Sequence, residues 1–500
     1  MYKKSKADLR YTLPIAIHGD EGRYLKKGNF MVCTVETLLG VDSSKKDIKL
    51  RKKPCTCPMD AALGRYGSVG TGDVGDTKFQ GDVHRAGSQC VNDCGNEFLS
   101  KFLIFGMSSL KYKKHSGLLT QAFDMVAEDL KRLFTTGISI HGQTFYAATL
   151  GLKGDLKFHH QIGNLTRSYY NAGVRANHPM CSLCMAGHDA VMFEDLSDSP
   201  AWMETQFFER PWKEGCMPSL ASIPFQSSCP EAIFRLDLFH CYKVGLGRDL
   251  TGSTIIVLCQ LGYFDYENTE EFNLPSRLQR AFGFFELWCK GCGKSPAIHS
   301  FSKSLLNYQN ERAFAWANVK GSDNTLLTQW LIFTVKLAQQ TQSRHPKLES
   351  ALVETLEAAK TIFDILHSHS LWLDRACAQR VQHYMTVLLR GFKVLATLAK
   401  SLNIPAYALK PKLHACDHIN RDLKRQLSNK APKVLNPLAF SCEANESIIG
   451  HVSRLSRRVN SRTVSCRVLD RVCIKVKNQV VKFKASLRLR RDVGHQRKRR

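Results

Sequence analysis

Three acidic residues stand in local contexts that suit a metal-dependent active site. Asp20 closes an apolar run that starts at Leu13, Asp155 closes a second run that starts at Phe145, and Glu446 opens a helix-like segment. Oxygen ligands hold Mg²⁺ or Mn²⁺ better than thiolates do, and two such ions can clamp the attacking and leaving oxygens of a phosphodiester. Any one of these acids alone is more simply explained as a solvated residue or a turn cap. The two-metal prediction therefore depends on all three occurring together.

A nearby carboxylate and imidazole extend this candidate site. In Asp237-x-x-His240 the pair can serve as a metal ligand or a proton-transfer group, because a carboxylate orients an imidazole that titrates near neutral pH. Alternatively, Asp237 caps the helix that follows. Glu443 competes with Glu446 for the place of the third acid.

A second kind of metal site is indicated by Cys181 and Cys184, which have the C-x-x-C spacing of a zinc knuckle. Tetrahedral zinc needs two more ligands, and either the flanking His178 and His188 or a distant pair can supply them. A plain buried pair of thiols is the alternative to structural zinc.

Other cysteine and histidine pairs are weaker metal signals. His414 and His418 lie four residues apart, on one face of a predicted helix, where a structural pair is the simpler interpretation. Cys289 and Cys292 have C-x-x-C spacing with His299 nearby. Cys55 and Cys57 are weaker still.

The charge of the chain predicts a polyanionic partner, with DNA as the first candidate. The formal net charge is +27, and residues 451–500 hold 17 Lys and Arg against two acids. This basic tail is expected to contact phosphate or to carry a nuclear address, and a solvated, disordered end is the alternative. Arg454, Arg457 and Arg458 follow Glu446 closely enough to meet a phosphate backbone.

The sequence predicts a protein with no membrane partner. The N-terminus lacks an apolar stretch of signal-peptide type, and no run approaches the roughly 18–20 apolar residues that span a bilayer. The 18 cysteines in a chain of 500 residues favour reduced thiols with some zinc over disulfides.

The order of elements predicts an α/β fold. Residues 11–40 indicate a hairpin, helical periodicity is found near 98–110 and 118–134, a strand leads to Asp155, and residues 231–265 look strand-like. Alternating Val472, Ile474 and Val476 also indicate a strand. The predicted division is 1–40 first core strands, 41–95 loop-rich insertion, 96–265 rest of the core with the knuckle, 266–430 helical insertion, 431–460 helix of the third acid, and 461–500 basic tail.

Taken in order, these motifs resemble the DDE transposases of the CACTA and Plavaka type over about residues 11–460. The resemblance is carried by the strand reaching Asp20, Lys153-Gly154-Asp155 before Cys181-x-x-Cys184, Asp237/His240 before Gly245, Pro411-Lys412-x-His414-x-x-x-His418, and Glu446 leading into Gly450.

This resemblance implies an RNase H-like mixed-sheet core with a large all-helical insertion. It implies metal-dependent cleavage and joining of DNA, with Asp20, Asp155 and Glu446 binding the metals and Asp237/His240 as an accessory element. The nucleophile would be water or a DNA 3′-hydroxyl, in an active enzyme or in an inactive relic of one. A homo-oligomer is also expected.

Two other functions remain open at this point. A non-catalytic, zinc-containing protein that binds DNA or RNA needs only the basic tail and the knuckle. A hydrolase that acts on nucleic acid without transposition shares the same three acids. Acids gathered in one place favour an enzyme, and scattered acids favour the binding protein.

Overall fold

The computed structural model describes residues 6–9, 11–25, 28–39, 92, 96–115, 117–172, 178–188, 191–226, 228–267, 269–369, 371–430 and 433–497. Except for Asn92, the predicted loop-rich insertion 41–95, with Cys55 and Cys57, lies outside these residues. The fold is mixed α/β, as the sequence predicts.

A five-stranded mixed sheet carries the candidate site. Its strands are β1 (Thr12–Arg23), β2 (Asn29–Thr37), β3 (Lys101–Ser108), β4 (Ile138–Ile140) and β5 (Gln143–Gly154). The strand order is β3-β2-β1-β5-β4. β1 pairs antiparallel with β2 and parallel with β5, which confirms the predicted hairpin and the predicted strand before Asp155.

Strand alternation gives the sheet two different faces. On one face Ile15, Ile17 and Leu152 pack against helix α4 (Leu118–Thr135), as predicted for that helix. Because successive residues of a strand point in opposite directions, His18 lies on the other face. This second face therefore carries a buried polar side chain, His18, close to the candidate site.

Short helices accompany the sheet. They are α1 (Lys6–Leu9), α2 (Glu97–Ser100), α3 (Ser109–Lys114), α5 (Leu156–Ile162) and α6 (Ala201–Glu204). The predicted helix near 98–110 is wrong, because most of that segment is β3. Pairing of β3 with β2 over long range overrides the local helical periodicity.

The strand-like interpretation of residues 231–265 is also largely wrong. Pro230–Ile233 is a 3₁₀ turn, and Phe234 makes a single parallel bridge to Leu152. A π-type turn at Phe239–Leu246 leads into α7 (Gly247–Gln260), whose residues are buried on nearly every side. A helix buried all round has a continuous apolar run like that of a buried strand, so periodicity could not separate the two.

The expected helical region follows. It consists of α8 (Leu274–Gly291), α9 (Gly321–Thr341), α10 (Pro346–Ser368), α11 (Arg375–Ser401) and α12 (Pro411–Ser428), with strands β6 (Trp372–Asp374) and β7 (Lys433–Leu435) pairing beside it. One continuous apolar core joins these helices to Ala16 of β1. The helical region is thus packed onto the sheet.

Two C-terminal helices complete the fold, α13 (Glu446–Ser456) and α14 (Val464–Arg497). The strand-like interpretation around Val472 is wrong, since Val464, Val468 and Val472 form a buried row on α14 that packs with residues of β2 and α13. Their four-residue spacing is that of a helix face. None of the helices in the described ranges is long and apolar enough to cross a bilayer.

Candidate active site and metal centre

Asp20 and Asp155 are brought together by two parallel strands. The register of β1 and β5 ends at the pair Gly19↔Gly154, so each acid is the next residue of its own strand path. Neighbouring strands lie about 4.8 Å apart, which puts the two acids side by side. Asp155 follows β5 directly and caps α5, accepting a hydrogen bond from Phe158 N at 2.6 Å. Asp20 lies inside β1, which continues to Arg23, and is not at a strand end as predicted.

The two glycines before these acids are required by a close aromatic contact. A Cβ at Gly19 would lie 2.1 Å from the Phe158 ring, and one at Gly154 would lie 2.4 Å from the same ring. Since real Cβ atoms do not approach this closely, the bare backbone lets Phe158 pack beneath the site. Phe158 belongs to α5, which Asp155 caps, so this packing helps to fix Asp155.

Asp237 performs both of the roles that the sequence left open. Its carboxylate accepts hydrogen bonds from Phe239 N at 2.8 Å and His240 N at 3.1 Å, as a cap does. The same carboxylate lies 2.6 Å from His240 Nδ1. That contact orients the imidazole so that Nε2 faces Glu446 Oε1 at 3.7 Å.

Glu446 joins the cluster, and Glu443 does not. Ligand atoms of Asp20, His240 and Glu446 all lie within 4.8 Å of one another. Glu443 instead forms a 2.6 Å ion pair with Lys243. The geometry therefore favours Glu446 as the third acid, on the first turn of α13 as predicted.

The cluster shifts the pKa values of Asp20, Glu446 and His240. Burial, followed by the negative charges of Asp155 and Glu446, raises the pKa of Asp20 from 3.8 to about 7. Burial also raises the pKa of Glu446. Burial lowers the pKa of His240, but the hydrogen bond and charge of Asp237, with the other acids, outweigh it and bring that pKa to about 9. The negative charge of Asp155 contributes to the rise at both Asp20 and Glu446.

These residues fit a divalent cation. A carboxyl group whose pKa is raised by burial and by neighbouring negative charges, as at Asp20, gains from a positive ion beside it. Glu446 Oε1 is buried without a hydrogen-bond partner among the described residues. The His240 Nε2 atom lies 3.7 Å from it, which is beyond hydrogen-bond distance. The donors are carboxylate oxygens and one imidazole, a set that suits Mg²⁺ or Mn²⁺.

Buried bonds that the sequence did not reveal hold Glu446 in place. Lys153 Nζ donates to Ser441 O at 2.7 Å and pairs with Glu36, so β5 is tied to the segment just before α13. Cys442 N donates to Asp237 at 3.0 Å. The only sequence signal was the polar Lys153 within an apolar strand.

A lysine at the edge of the acid cluster, Lys157, was also not predicted from the sequence. Lys157 on α5 pairs with Glu21 at 2.5 Å and is half exposed. Burial of Lys157 lowers its pKa less than the Glu21 hydrogen bond raises it, and the charge of Asp155 adds to the rise. Lys157 is therefore a fixed positive charge beside the acids.

Cys181 and Cys184 meet His414 and His418, more than 200 residues away in sequence. Sγ of Cys184 lies 3.3 Å from His414 Nε2 and 3.4 Å from His418 Nε2, and Sγ of Cys181 lies 3.4 Å from His418 Nε2. With Zn–S near 2.3 Å and Zn–N near 2.05 Å, tetrahedral zinc requires about 3.6 Å between sulfur and nitrogen. The four buried side chains therefore come close to a tetrahedral Cys₂His₂ site.

Of the two predicted ways to complete the knuckle, the structure places the distant histidine pair beside the thiols, and not His178 and His188. His178 is exposed and His188 half-buried, and neither belongs to the ligand group. The distant pair that the sequence left open supplies the ligands instead. Its signal was the i, i+4 spacing of His414 and His418, which places both on one face of α12.

A tryptophan ring and a buried arginine lie against the Cys₂His₂ group. The Trp202 ring packs against both imidazoles, with centroids 4.7 and 4.6 Å away. Arg167 is buried and donates to Cys184 O at 3.2 Å, which brings a positive charge near the thiols. Burial opposes ionisation of Cys181, but hydrogen bonds from Cys184 and the histidines take its pKa well below the usual value.

The remaining predicted residues lie apart from both centres. Arg454, Arg457 and Arg458 are exposed, on α13 and just after it. Arg454 is about 12 Å along the helix from Glu446, at 1.5 Å per residue. Cys289, Cys292 and His299 join no ligand group in the part of the chain that the structure describes.

Comparison with known proteins does not assign the chain to a family. No protein-family model matches the chain, and no curated protein matches it either.

Proposed function

We propose that this protein is a transposase-derived DNA-processing enzyme that cleaves and joins DNA strands with divalent metal ions. One observation carries the proposal: the pairing of two parallel strands ends just before Asp20 and Asp155, and Glu446, on a helix 291 residues after Asp155, lies beside Asp20. Carboxylates that converge from distant segments into a mutually repelling cluster are typical of metal-dependent phosphoryl transfer.

The sheet supports an RNase H-like core. Three antiparallel strands in the order β3-β2-β1, with β5 parallel to β1, form the arrangement expected of that fold. The parallel bridge from Leu152 to Phe234 adds a single paired position beside the C-terminal end of β5. Asp237 follows that bridge, which accounts for its place beside the other acids.

Bound Mg²⁺ or Mn²⁺ would stabilise charge on the phosphate and lower the pKa of an attacking water. An oxygen of water, or of a DNA 3′-hydroxyl, would bond to phosphorus as a bridging P–O bond breaks. Asp20, Asp155 and Glu446 would orient the ions. His240, held by Asp237, would carry a proton at the cluster's edge, and Lys157 would contact a neighbouring phosphate.

Charge supports DNA as the partner and the nucleus as the location. The net charge of +27 favours a polyanion, and α14 carries much of the basic tail. Exposed Arg454, Arg457 and Arg458 on and after α13 would hold the phosphate backbone near the acids. Each phosphate contact releases counterions, so binding should weaken steeply with salt.

The Cys₂His₂ group supports structural zinc. Its two thiols and two imidazoles are the ligand set of closed zinc sites, and soft thiolates favour Zn²⁺ over Mg²⁺. Zinc there would tie the segment after the sheet to α12, across 230 residues between Cys184 and His414.

Labelled duplex, hairpin and RNA substrates in Mn²⁺ test the proposal. We expect cleavage of DNA by the intact protein and a loss of at least 100-fold in Asp155→Asn, with DNA affinity retained. Glu443→Gln is a matched control at the rejected third position and should keep activity. Cleavage that persists in Asp155→Asn would contradict the assignment.

A second candidate is a non-catalytic, zinc-containing protein that binds nucleic acid, which the Cys₂His₂ group and the basic tail favour by themselves. It predicts salt-dependent DNA binding and no Mn²⁺-dependent cleavage by the intact protein. Replacing Arg454, Arg457 and Arg458 with alanine should lower the salt slope of binding by about 2–3 under either function. Cleavage by the intact protein therefore separates the two candidates.

A further inference from the structure

A third cluster of metal-binding side chains, separate from the two centres described above, lies at the junction of α10 and α11. Ligand atoms of His369, Asp374 and Cys377 all lie within 4.8 Å of one another. His369 follows the last residue of α10, Asp374 ends β6, and Cys377 lies in the first turn of α11. His369 Nε2 is 3.0 Å from Cys377 Sγ.

Hydrogen bonds hold two of these side chains in position. His369 Nδ1 lies 2.7 Å from Ile365 O, so this nitrogen carries the proton and Nε2 presents its lone pair. A backbone carbonyl is one of the usual partners of the second nitrogen of a metal-bound histidine. Asp374 accepts from Cys377 N at 2.7 Å as the cap of α11, which brings carboxylate and thiol together.

The backbone around the cluster is fixed as well. β6 pairs with β7, and Asp374 is in register with Lys433. The long helices α10 and α11 pack against each other on either side of the junction. The three ligands are therefore supplied by a supported turn between helices.

We propose that His369, Asp374 and Cys377 form a second zinc site, with three protein ligands and one open position. One thiolate, one imidazole and one carboxylate make a set that favours Zn²⁺ over Mg²⁺. The Cys377 thiol gives up its proton to solvent as the metal binds. Asp374 is exposed and the other two are half-buried, so water, or a side chain of another molecule, can take the fourth position.

This site differs from the Cys₂His₂ group in ways that can be measured. It holds one thiolate instead of two, and it is open to solvent where the other group is buried. Its metal should exchange faster with a chelator. Bound metal would also fasten the end of α10 to the start of α11. The inference does not depend on the proposed DNA chemistry.

Cobalt substitution of the full-length protein tests the inference. Thiolate-to-cobalt charge transfer reports only on cysteine-bound metal, so cobalt that carboxylates alone hold does not contribute. If Cys181, Cys184 and Cys377 all bind, Cys377→Ser should lower the band by about one third. Cys473→Ser, an exposed cysteine on α14 outside every cluster, is the matched control and should leave the band unchanged.

Zinc content gives a second measurement, made with excess Mg²⁺ present to occupy the carboxylates. We expect two zinc ions per chain in the intact protein and one in Cys377→Ser or His369→Ala. Asp374→Asn, the mildest change, should keep the fold and speed zinc loss to a chromogenic chelator. An unchanged cobalt band and zinc content in the folded Cys377→Ser protein would overturn the site, leaving only a thiol–imidazole hydrogen bond.

Discussion

Replacing Asp20 with asparagine should stabilise the protein in the absence of magnesium, although it removes a proposed metal ligand. The amide has nearly the size of the carboxylate but cannot ionise. Because burial and the charges of Asp155 and Glu446 raise the pKa of Asp20 to about 7, the folded state resists its ionisation. Asp20→Asn removes that resistance.

The size of the effect follows from the pKa. A rise from 3.8 to about 7 corresponds to about 4 kcal/mol at most, at 1.36 kcal/mol for each pH unit. Asp20 is half-buried, so solvent screening reduces this, and we expect about 2–3 kcal/mol. The sign is that of a raised carboxyl pKa: the destabilisation is absent below pH 4, grows as the pH rises, and is complete above pH 7.

Urea denaturation at pH 5, 6, 7 and 8 measures it, with zinc retained and no added magnesium. The free energy of unfolding of Asp20→Asn should exceed that of the intact protein at pH 8, with the difference shrinking toward pH 5. Asp129→Asn, on the exposed side of α4, is the control and should show no such trend. Added Mg²⁺ should stabilise the intact protein and not Asp20→Asn. Equal or lower stability of Asp20→Asn at pH 8 would refute the electrostatic reasoning.

Three further predictions concern the same two centres. His240→Gln should lower stability by about 2–3 kcal/mol below pH 6.5, because the folded pKa of His240 is raised to about 9, and the difference should vanish as the pH rises through 9 in urea denaturation. Gly19→Ala should cost roughly 1–3 kcal/mol, since its Cβ meets the Phe158 ring at 2.1 Å; equal urea midpoints would contradict this contact. Cys184→Ser should reduce bound zinc by one ion and lower the melting temperature, and unchanged zinc by metal analysis would exclude the Cys₂His₂ site.

Local sequence patterns predicted the elements that carry the acids. The hairpin of β1 and β2 was visible in two apolar runs around a turn, and the strand before Asp155 in a third. The helix opened by Glu446 was predicted as well. The choice between Glu446 and Glu443 required coordinates, since only the structure shows Glu443 bound to Lys243.

Long-range pairing decided what local patterns could not. β3 looked helical because its apolar residues also fit a three- to four-residue period, and pairing with β2 decides the outcome. His178 and His188 flank the thiols and were one of the two predicted ways to complete the knuckle. A single sequence does not show that a histidine 230 residues away lies beside Cys184 in the folded chain. The buried Lys153, which ties β5 to Ser441, had no sequence signal beyond its place in an apolar strand.

Anomalous scattering at the manganese edge, from crystals of the protein soaked in Mn²⁺, tests whether these three acids bind metal. We expect density between Asp20, Asp155 and Glu446, about 2.2 Å from at least one carboxylate oxygen of each, and none there in Asp155→Asn. Manganese bound elsewhere, with these three carboxylates left without metal, would contradict it.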